Sequence, residues 1–209
     1  MDKKLEKYLL EHSSPEDPVL EDLYRQTYIR FVNPNMVTGH IQGKLLEFIS
    51  VMIKPEFILE IGTFTGYSAI CLAKGLKPGG KLFTVEINDE LREFSHSYFI
   101  KAGLGSSIIQ MHGRAQDIVP GMKQMFDLVY IDGDKREYTE YYKIIIRKMR
   151  PGGLIIADNV LWGDKVLEKG TKDRQTRGII EFNEMIRQQT NIEKVILPVR
   201  DGIMLIRVI

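Results

Sequence analysis

A chain of 209 residues that is 44% hydrophobic and 27% charged has the size and composition of one folded domain with a full core, not of a disordered or fibrous protein. Its net charge of +1 gives no overall attraction to nucleic acid or to an anionic membrane, and no apolar run approaches the length of a bilayer span. The lone Cys71 excludes an internal disulfide framework, and the opening MDKKLEKYLLEHSSPEDP lacks the apolar stretch of a secretory signal, so a cytoplasmic protein is expected.

Lys3 to Glu11 reads as a short amphipathic helix with Leu5, Leu9 and Leu10 roughly on one side, broken at Ser13-Ser14-Pro15. Asp17 to Phe31 repeats Leu20, Leu23, Tyr24, Thr27 and Phe31 near the helical period and ends at Asn33-Pro34-Asn35. Gly39 to Ile53 is a third helix, with Ile41, Leu45, Phe48, Ile49 and Met52 on one face. These helices form an N-terminal extension, residues 1–54, ahead of a core over 55–209 within a single domain. Their position suits capping the sheet, lining a substrate cleft or making a dimer contact.

Strands then alternate with helices. The pattern predicts strands near 57–61, 81–86, 106–111, 126–131, 153–158, 192–198 and 203–208, and helices near 66–75, 89–103, 115–124, 135–149 and 174–189. Such alternation gives a doubly wound α/β fold, a seven-stranded mostly parallel sheet with helices on both faces. Arg200-Asp201-Gly202 is a hairpin signal, so the last strand runs antiparallel. Lys77-Pro-Gly-Gly80 and Arg150-Pro-Gly-Gly153 read as helix-stopping turns.

Phe57 to Ser68, FILEIGTFTGYS, is strand, glycine turn and helix, with a ligand expected outside the strand's carboxyl end. The glycines are Gly62 and Gly66 only, which is not the G-x-G-x-x-G of a dinucleotide site. Glu60 at the strand end would repel a pyrophosphate and suits a ligand carrying an ammonium and a sulfonium. Glu86 ends the next strand, where such folds place the acid that holds ribose hydroxyls. The alternative is a nucleotide fold with chance acids. The acid-Ile-Gly turn with a second acid resembles the S-adenosylmethionine-dependent methyltransferases.

Two further strands run into acids: Asp127-Leu-Val-Tyr-Ile-Asp132-Gly-Asp134-Lys135 and Gly153-Leu-Ile-Ile-Ala-Asp158-Asn159. Asp132 and Asp158 therefore fall on the rim that also carries Glu60 and Glu86, where four acids repel one another without a cation. Asp132, Asp158 and the Asn159 amide are hard oxygen donors suited to Mg²⁺, Ca²⁺ or Mn²⁺. The four histidines are scattered, so zinc spacing is absent. Asp132 or Asp134 is equally suited to capping the helix that opens at Lys135.

YIDGDKREY and ADNVLWG are similar to the metal-dependent O-methyltransferases of the catechol and caffeoyl-CoA type, over residues from about Asn35 to the end. The resemblance implies Asp132, Asp158 and Asn159 as metal ligands and Lys135 as general base. It implies Thr38, Glu60, Gly62, Thr63, Ser68, Glu86, Ala115 and Asp132 as contacts of S-adenosylmethionine. It also implies a substrate-side role for Asp134, and places Trp162 where an aromatic residue walls the acceptor site. Phe64 and Tyr67 are candidates for shaping the cofactor pocket, packing being their plainer role.

The chemistry is coherent. A phenol ionises near pH ~10, and two adjacent hydroxyls on a dication ionise more readily. A neighbouring dication also favours neutral Lys135, which can then accept the hydroxyl proton. Bringing oxyanion and sulfonium methyl into line is much of the catalysis. The acceptor expected is a small vicinal dihydroxy-aromatic. Residues 163–177 carry Lys165, Lys169, Lys172, Arg174 and Arg177 beside three acids, and read either as a solvated mobile loop or as a basic rim for an anionic acceptor such as a CoA thioester or tRNA. The resemblance extends to bacterial relatives that methylate hydroxylated uridine in tRNA, which implies that RNA as a second candidate, with steep salt dependence. A sensor that binds S-adenosylmethionine without catalysis is a third reading, and it would need neither Lys135 nor the metal acids. A nicotinamide dehydrogenase fits worst, because its glycine pattern is missing. Family habit and the leading helices point to a homodimer.

Overall fold

A computed structural model describes residues 3–168 and 170–209. Its seven-stranded sheet has the order β3-β2-β1-β4-β5-β7-β6. The strands are β1 (Phe57–Ile61), β2 (Lys81–Glu86), β3 (Ile108–His112), β4 (Phe126–Ile131), β5 (Met149–Ala157), β6 (Ile192–Leu197) and β7 (Ile203–Val208). All ladders are parallel except those of β7 with β5 and β6, so only β7 runs against the rest. The strand order reverses between β1 and β2 on one side and β4 on the other, which opens a crevice at the carboxyl ends of β1 and β4.

The sheet is covered twice. On one face lie α2 (Pro18–Arg30), α3 (His40–Ile53), α4 (Tyr67–Ala73) and α5 (Arg92–Lys101), packed over Ile58, Leu82, Leu128, Tyr130 and Ile156. On the other lie α6 (Ala115–Ile118), α7 (Tyr138–Ile145) and α8 (Arg174–Gln188), over Leu59, Ile61, Val129, Ile131 and Ile155. Alternate residues of one strand therefore enter different cores, which is why β1 and β4 are apolar almost throughout. Pro18 sits in the first turn of α2 behind the Asp17 cap, and Ile179, Phe182 and Ile186 place the apolar stripe of α8 on the sheet. Near the N-terminus, α1 (Lys3–Glu11) keeps Leu9 half-buried, while Leu5 and Leu10 are exposed.

Three sequence expectations need correction. The helix expected over 115–124 is one turn of α6 followed by a 3-10 turn, Val119–Gly121, because Pro120 cannot continue the α-helical ladder. Arg150-Pro151-Gly152 belongs to β5, not to a turn. The ladder with β4 shifts register between Phe126 and Leu128, and this irregularity accommodates the proline. The face of α3 is also rotated. Gln42, Gly43, Leu46, Ile49 and Ser50 are buried, whereas Phe48 is 56% and Met52 74% exposed. Gly43 lets α3 approach α4 closely, since a side chain there would collide with Tyr67 and Cys71. Cys71 is a packed core residue whose thiol burial holds neutral.

Candidate active site

Glu60 follows Ile58 on β1 and points into the same core, but at the strand's carboxyl end. It is fully buried, the Thr84 hydroxyl donates to its Oε2 at 2.6 Å, and Oε1 has no hydrogen-bond partner. Burial raises its pKa to about 8, against the pull of Ser68 and Thr84, and the charges of Asp132 and Glu86 push the same way. A buried acid with an orphaned oxygen fits a cationic ligand group. Glu86 receives Phe64 N on Oε2 at 2.9 Å, and Ile87 N and Asn88 N on Oε1 at 2.9 and 3.0 Å. The carboxylate thus fastens the glycine turn to the end of β2. Thr63 and Thr84 join their hydroxyls beneath that turn. Tyr67 is buried and donates to Glu16, so it packs rather than lining a pocket.

The second constellation adjoins the first. Gly62 has φ +98°, and a Cβ there would collide with the carbonyl of Asp132. The glycine turn of β1 therefore rests against the end of β4. Asp132 Oδ1 accepts from Lys135 Nζ at 2.7 Å, and Lys135, only 7% exposed, also donates to Tyr138 Oη at 2.7 Å. The Tyr138 hydroxyl is shared between the carbonyls of Ile131 and Asp158, at 3.1 and 3.0 Å. Burial lifts the Asp132 pKa to about 6; Lys135 and Arg200 lower it and Asp158 raises it. Asp158 Oδ2 accepts from Gln42 Nε2 at 2.5 Å and from Tyr130 Oη at 2.7 Å, and its Oδ1 from Asn159 N at 2.7 Å.

This donor set fits a hard dication. No group of three His, Cys, Asp or Glu is placed to hold a metal among the described residues, so a third protein donor would be another kind of oxygen, such as a side-chain amide. Asn159 is the candidate for that place. It stands directly after Asp158 in left-handed backbone, φ +56°, the region that Asn tolerates better than most residues.

The remaining predicted residues lie on separate loops and turns. Buried Thr38 ends the loop into α3, and its carbonyl accepts from Arg200 of the β6–β7 hairpin. Buried Ala115 opens α6 after β3. Asp134 caps the 3-10 turn Lys135–Glu137 by accepting from Arg136 N at 3.0 Å, and pairs with the Arg136 guanidinium, which holds its pKa low. Capping thus falls to Asp134, and Asp132 is left to face Lys135. Trp162 has φ +51° and a buried, unpartnered Nε1. Its loop is hooked to the hairpin by Val160 N to Gly202 O at 3.0 Å and Leu161 N to Asp201 O at 2.8 Å. In the basic stretch, Lys165–Leu167 is a 3-10 turn, Lys172 is exposed, and Arg174 and Arg177 fall on the first turn of α8, while Lys169 lies outside the described residues.

Sequence reasoning missed Gln42, Tyr130, Tyr138, Gly178 and Arg200. Gly178 on α8 meets the backbone of Lys135 and Arg136 so closely that a Cβ would collide with the Lys135 carbonyl. Tyr130 sits in an apolar strand, and Gln42 was obscured by the mistaken face of α3. Only the helical period of α3, read with Gln42 inward, carried a signal.

Known proteins are similar to this chain throughout. The O-methyltransferase family profile matches residues 10–209. A catechol O-methyltransferase from Niastella koreensis is 36% identical over 170 residues, covering 79% of this chain and 74% of that protein. A caffeoyl-CoA O-methyltransferase from Petroselinum crispum is 32% identical, covering 97% of this chain and 90% of its own. Among solved structures, the O-methyltransferase TomG from Streptomyces achromogenes, in complex with SAM, superposes with a TM-score of 0.92 at 30% identity, covering 100% of this chain and 99% of that one.

Proposed function

The chain belongs to the O-methyltransferase family and is an S-adenosylmethionine-dependent O-methyltransferase of the catechol and caffeoyl-CoA type; on that premise we propose that its acceptor is a small aromatic with two adjacent hydroxyls, methylated with the help of a divalent cation. One observation carries this reading. Asp132 rests its backbone on the Gly62 turn and offers its side chain to Lys135, so the donor pocket and a proton acceptor share one residue.

In this reading S-adenosylmethionine supplies the methyl group, and Mg²⁺, Mn²⁺ or Ca²⁺ supplies the charge that makes a chelating hydroxyl acidic. Asp132, Asp158 and Asn159 would hold the metal. Gln42 and Tyr130 brace Asp158 from within the core, so its position does not depend on exposed loops. Glu60, Gly62, Thr63, Ser68 and Glu86 would hold the donor, with Thr38 and Ala115 at its edges. Lys135 takes the hydroxyl proton on Nζ, and Tyr138 fixes that nitrogen in place. Trp162 walls the acceptor side, and Asp134 orders the turn that carries Lys135.

The test is a screen of catechols with labelled donor, with and without a chelator. Chelation should abolish turnover, and Asp158→Ala should do so at any metal concentration that restores the parent. Full activity in chelator would overturn the metal's role. Exposed Lys172, Arg174 and Arg177 support a second acceptor, hydroxylated uridine in tRNA. Methylation of that RNA, weakening steeply with salt, would favour it over catechols. Exposed Phe48 and Met52 on α3 support a homodimer, which sedimentation would test.

A further inference from the structure

Arg200 occupies the tip of the β6–β7 hairpin with φ +49°, a backbone conformation that a long side chain rarely adopts. Glycine fits such a position at no steric cost, and arginine adds a guanidinium that reaches beyond the turn. It reaches the loop before α3: Nη1 donates to the carbonyls of Val37 and Thr38. On the other side of the tip, Asp201 and Gly202 bind the backbone of Val160, Leu161 and Trp162. Arg200 therefore stands between the loop assigned to the donor and the loop assigned to the acceptor wall.

Both of its hydrogen bonds leave from Nη1. Nε and Nη2, the edge of the guanidinium that grips a carboxylate with two parallel bonds, meet no acceptor among the described residues, and Arg200 forms no ion pair there. The neighbouring Asp201 offers its carbonyl to the acceptor loop instead of its carboxylate to Arg200. A tethered cation with its pairing edge free, beside a cleft for an aromatic diol, has the chemistry of an anion subsite.

We propose that Arg200 is the acceptor-recognition residue of this cleft and that the preferred diol carries a ring carboxylate. The inference rests on the acceptor class proposed above and narrows it. A dihydroxybenzoate would present its hydroxyls at Asp132 and Lys135 and its carboxylate to Nε and Nη2. A planar carboxylate matches that edge in two bonds, whereas a neutral substituent leaves it solvated.

The experiment compares 3,4-dihydroxybenzoate with its neutral amide, which has the same size. Wild-type protein should prefer the acid in kcat/KM by about 10–100-fold, the range expected for a charge-assisted bidentate contact. Arg200→Gly, which relieves the left-handed strain and should fold at least as well by circular dichroism, should bring the ratio close to one whatever happens to the amide rate itself. Arg200→Lys keeps the charge but loses the fork, and should fall between. A wild-type ratio near one, or a preference that survives in Arg200→Gly, overturns the proposal; in the second case the side chain serves only as a tether. Turnover of neither compound by the wild type, with active donor and metal present, overturns the acceptor class and this inference with it. Turnover of both without preference overturns the inference alone.

Discussion

At the scale of single residues, Lys135 shows how two hydrogen bonds position a candidate base. Lysine seldom lies this deep unless it is paired, and here its pairing is specific: Asp132 Oδ1 and Tyr138 Oη, each at 2.7 Å. These two contacts hold Nζ at one place beside Asp132. Lys135→Met should keep much of the volume, retain donor binding and lower kcat by ~10²–10⁴-fold, the usual contribution of a positioned base. Calorimetry with S-adenosylmethionine and single-turnover kinetics with a catechol separate the two effects. An unchanged rate of methyl transfer in this variant would remove Lys135 from the chemistry. Asp134, two residues beyond Asp132, illustrates the opposite outcome. Its carboxylate is occupied by the Arg136 backbone and guanidinium, a cap role that the sequence left open between the two acids.

At the scale of elements, the site depends on where helices touch backbone. Gly178 is the only point at which α8 meets the turn carrying Lys135 without a side chain between them among the described glycines. Gly178→Ala should therefore do more than its helix propensity suggests. In an open helix this change stabilises by up to ~1 kcal/mol, but here it forces the Lys135 backbone to move. The expected result is a lower melting temperature and a kcat reduced by at least ~10-fold, because small displacements at a reacting centre are costly. Equal or higher stability with normal kcat would show that α8 can yield. The sequence revealed the order and type of these elements because each carries its own period and punctuation. It did not reveal Gln42 with Asp158 or Arg200 with Val37, which lie 116 and 163 residues apart. Such pairs depend on how layers are rotated over the sheet, as the misjudged face of α3 demonstrates. Gly62, Glu60 and Glu86 were legible because a parallel strand's carboxyl end is a fixed place in this topology.

For the whole molecule, the gathering of Glu60, Glu86, Asp132 and Asp158 on one rim has a measurable consequence for stability. Glu60 rises from 4.5 to about 8 and Asp132 from 3.8 to about 6 on folding, burial being the first cause in both. Between the unfolded and folded values the native chain holds a proton that the unfolded chain has released. Unfolding then loses protons, and each such group lowers stability by ~1.4 kcal/mol per pH unit as pH rises through its window. The contribution is intact below pH 4, declines from about 4 to 6 through Asp132, and declines from about 4.5 to 8 through Glu60. The surface carboxylates Asp17, Asp22, Asp173 and Glu184 shift downward, so their effect lies at the acid end and is softened by solvent. The protein without donor or metal should accordingly melt several degrees higher at pH 6 than at pH 8. Glu60→Gln, isosteric and uncharged, should flatten that slope, and parallel melting curves for variant and parent would refute the assignment. The same sign governs binding. A cationic donor group placed against Glu60 favours its ionised form, so S-adenosylmethionine should displace a proton near pH 7. Titration calorimetry in two buffers of different ionisation enthalpy should show up to one proton released by the parent and a markedly smaller release in Glu60→Gln. Equal release in the two proteins would mean that the rim acids do not sense the donor's charge.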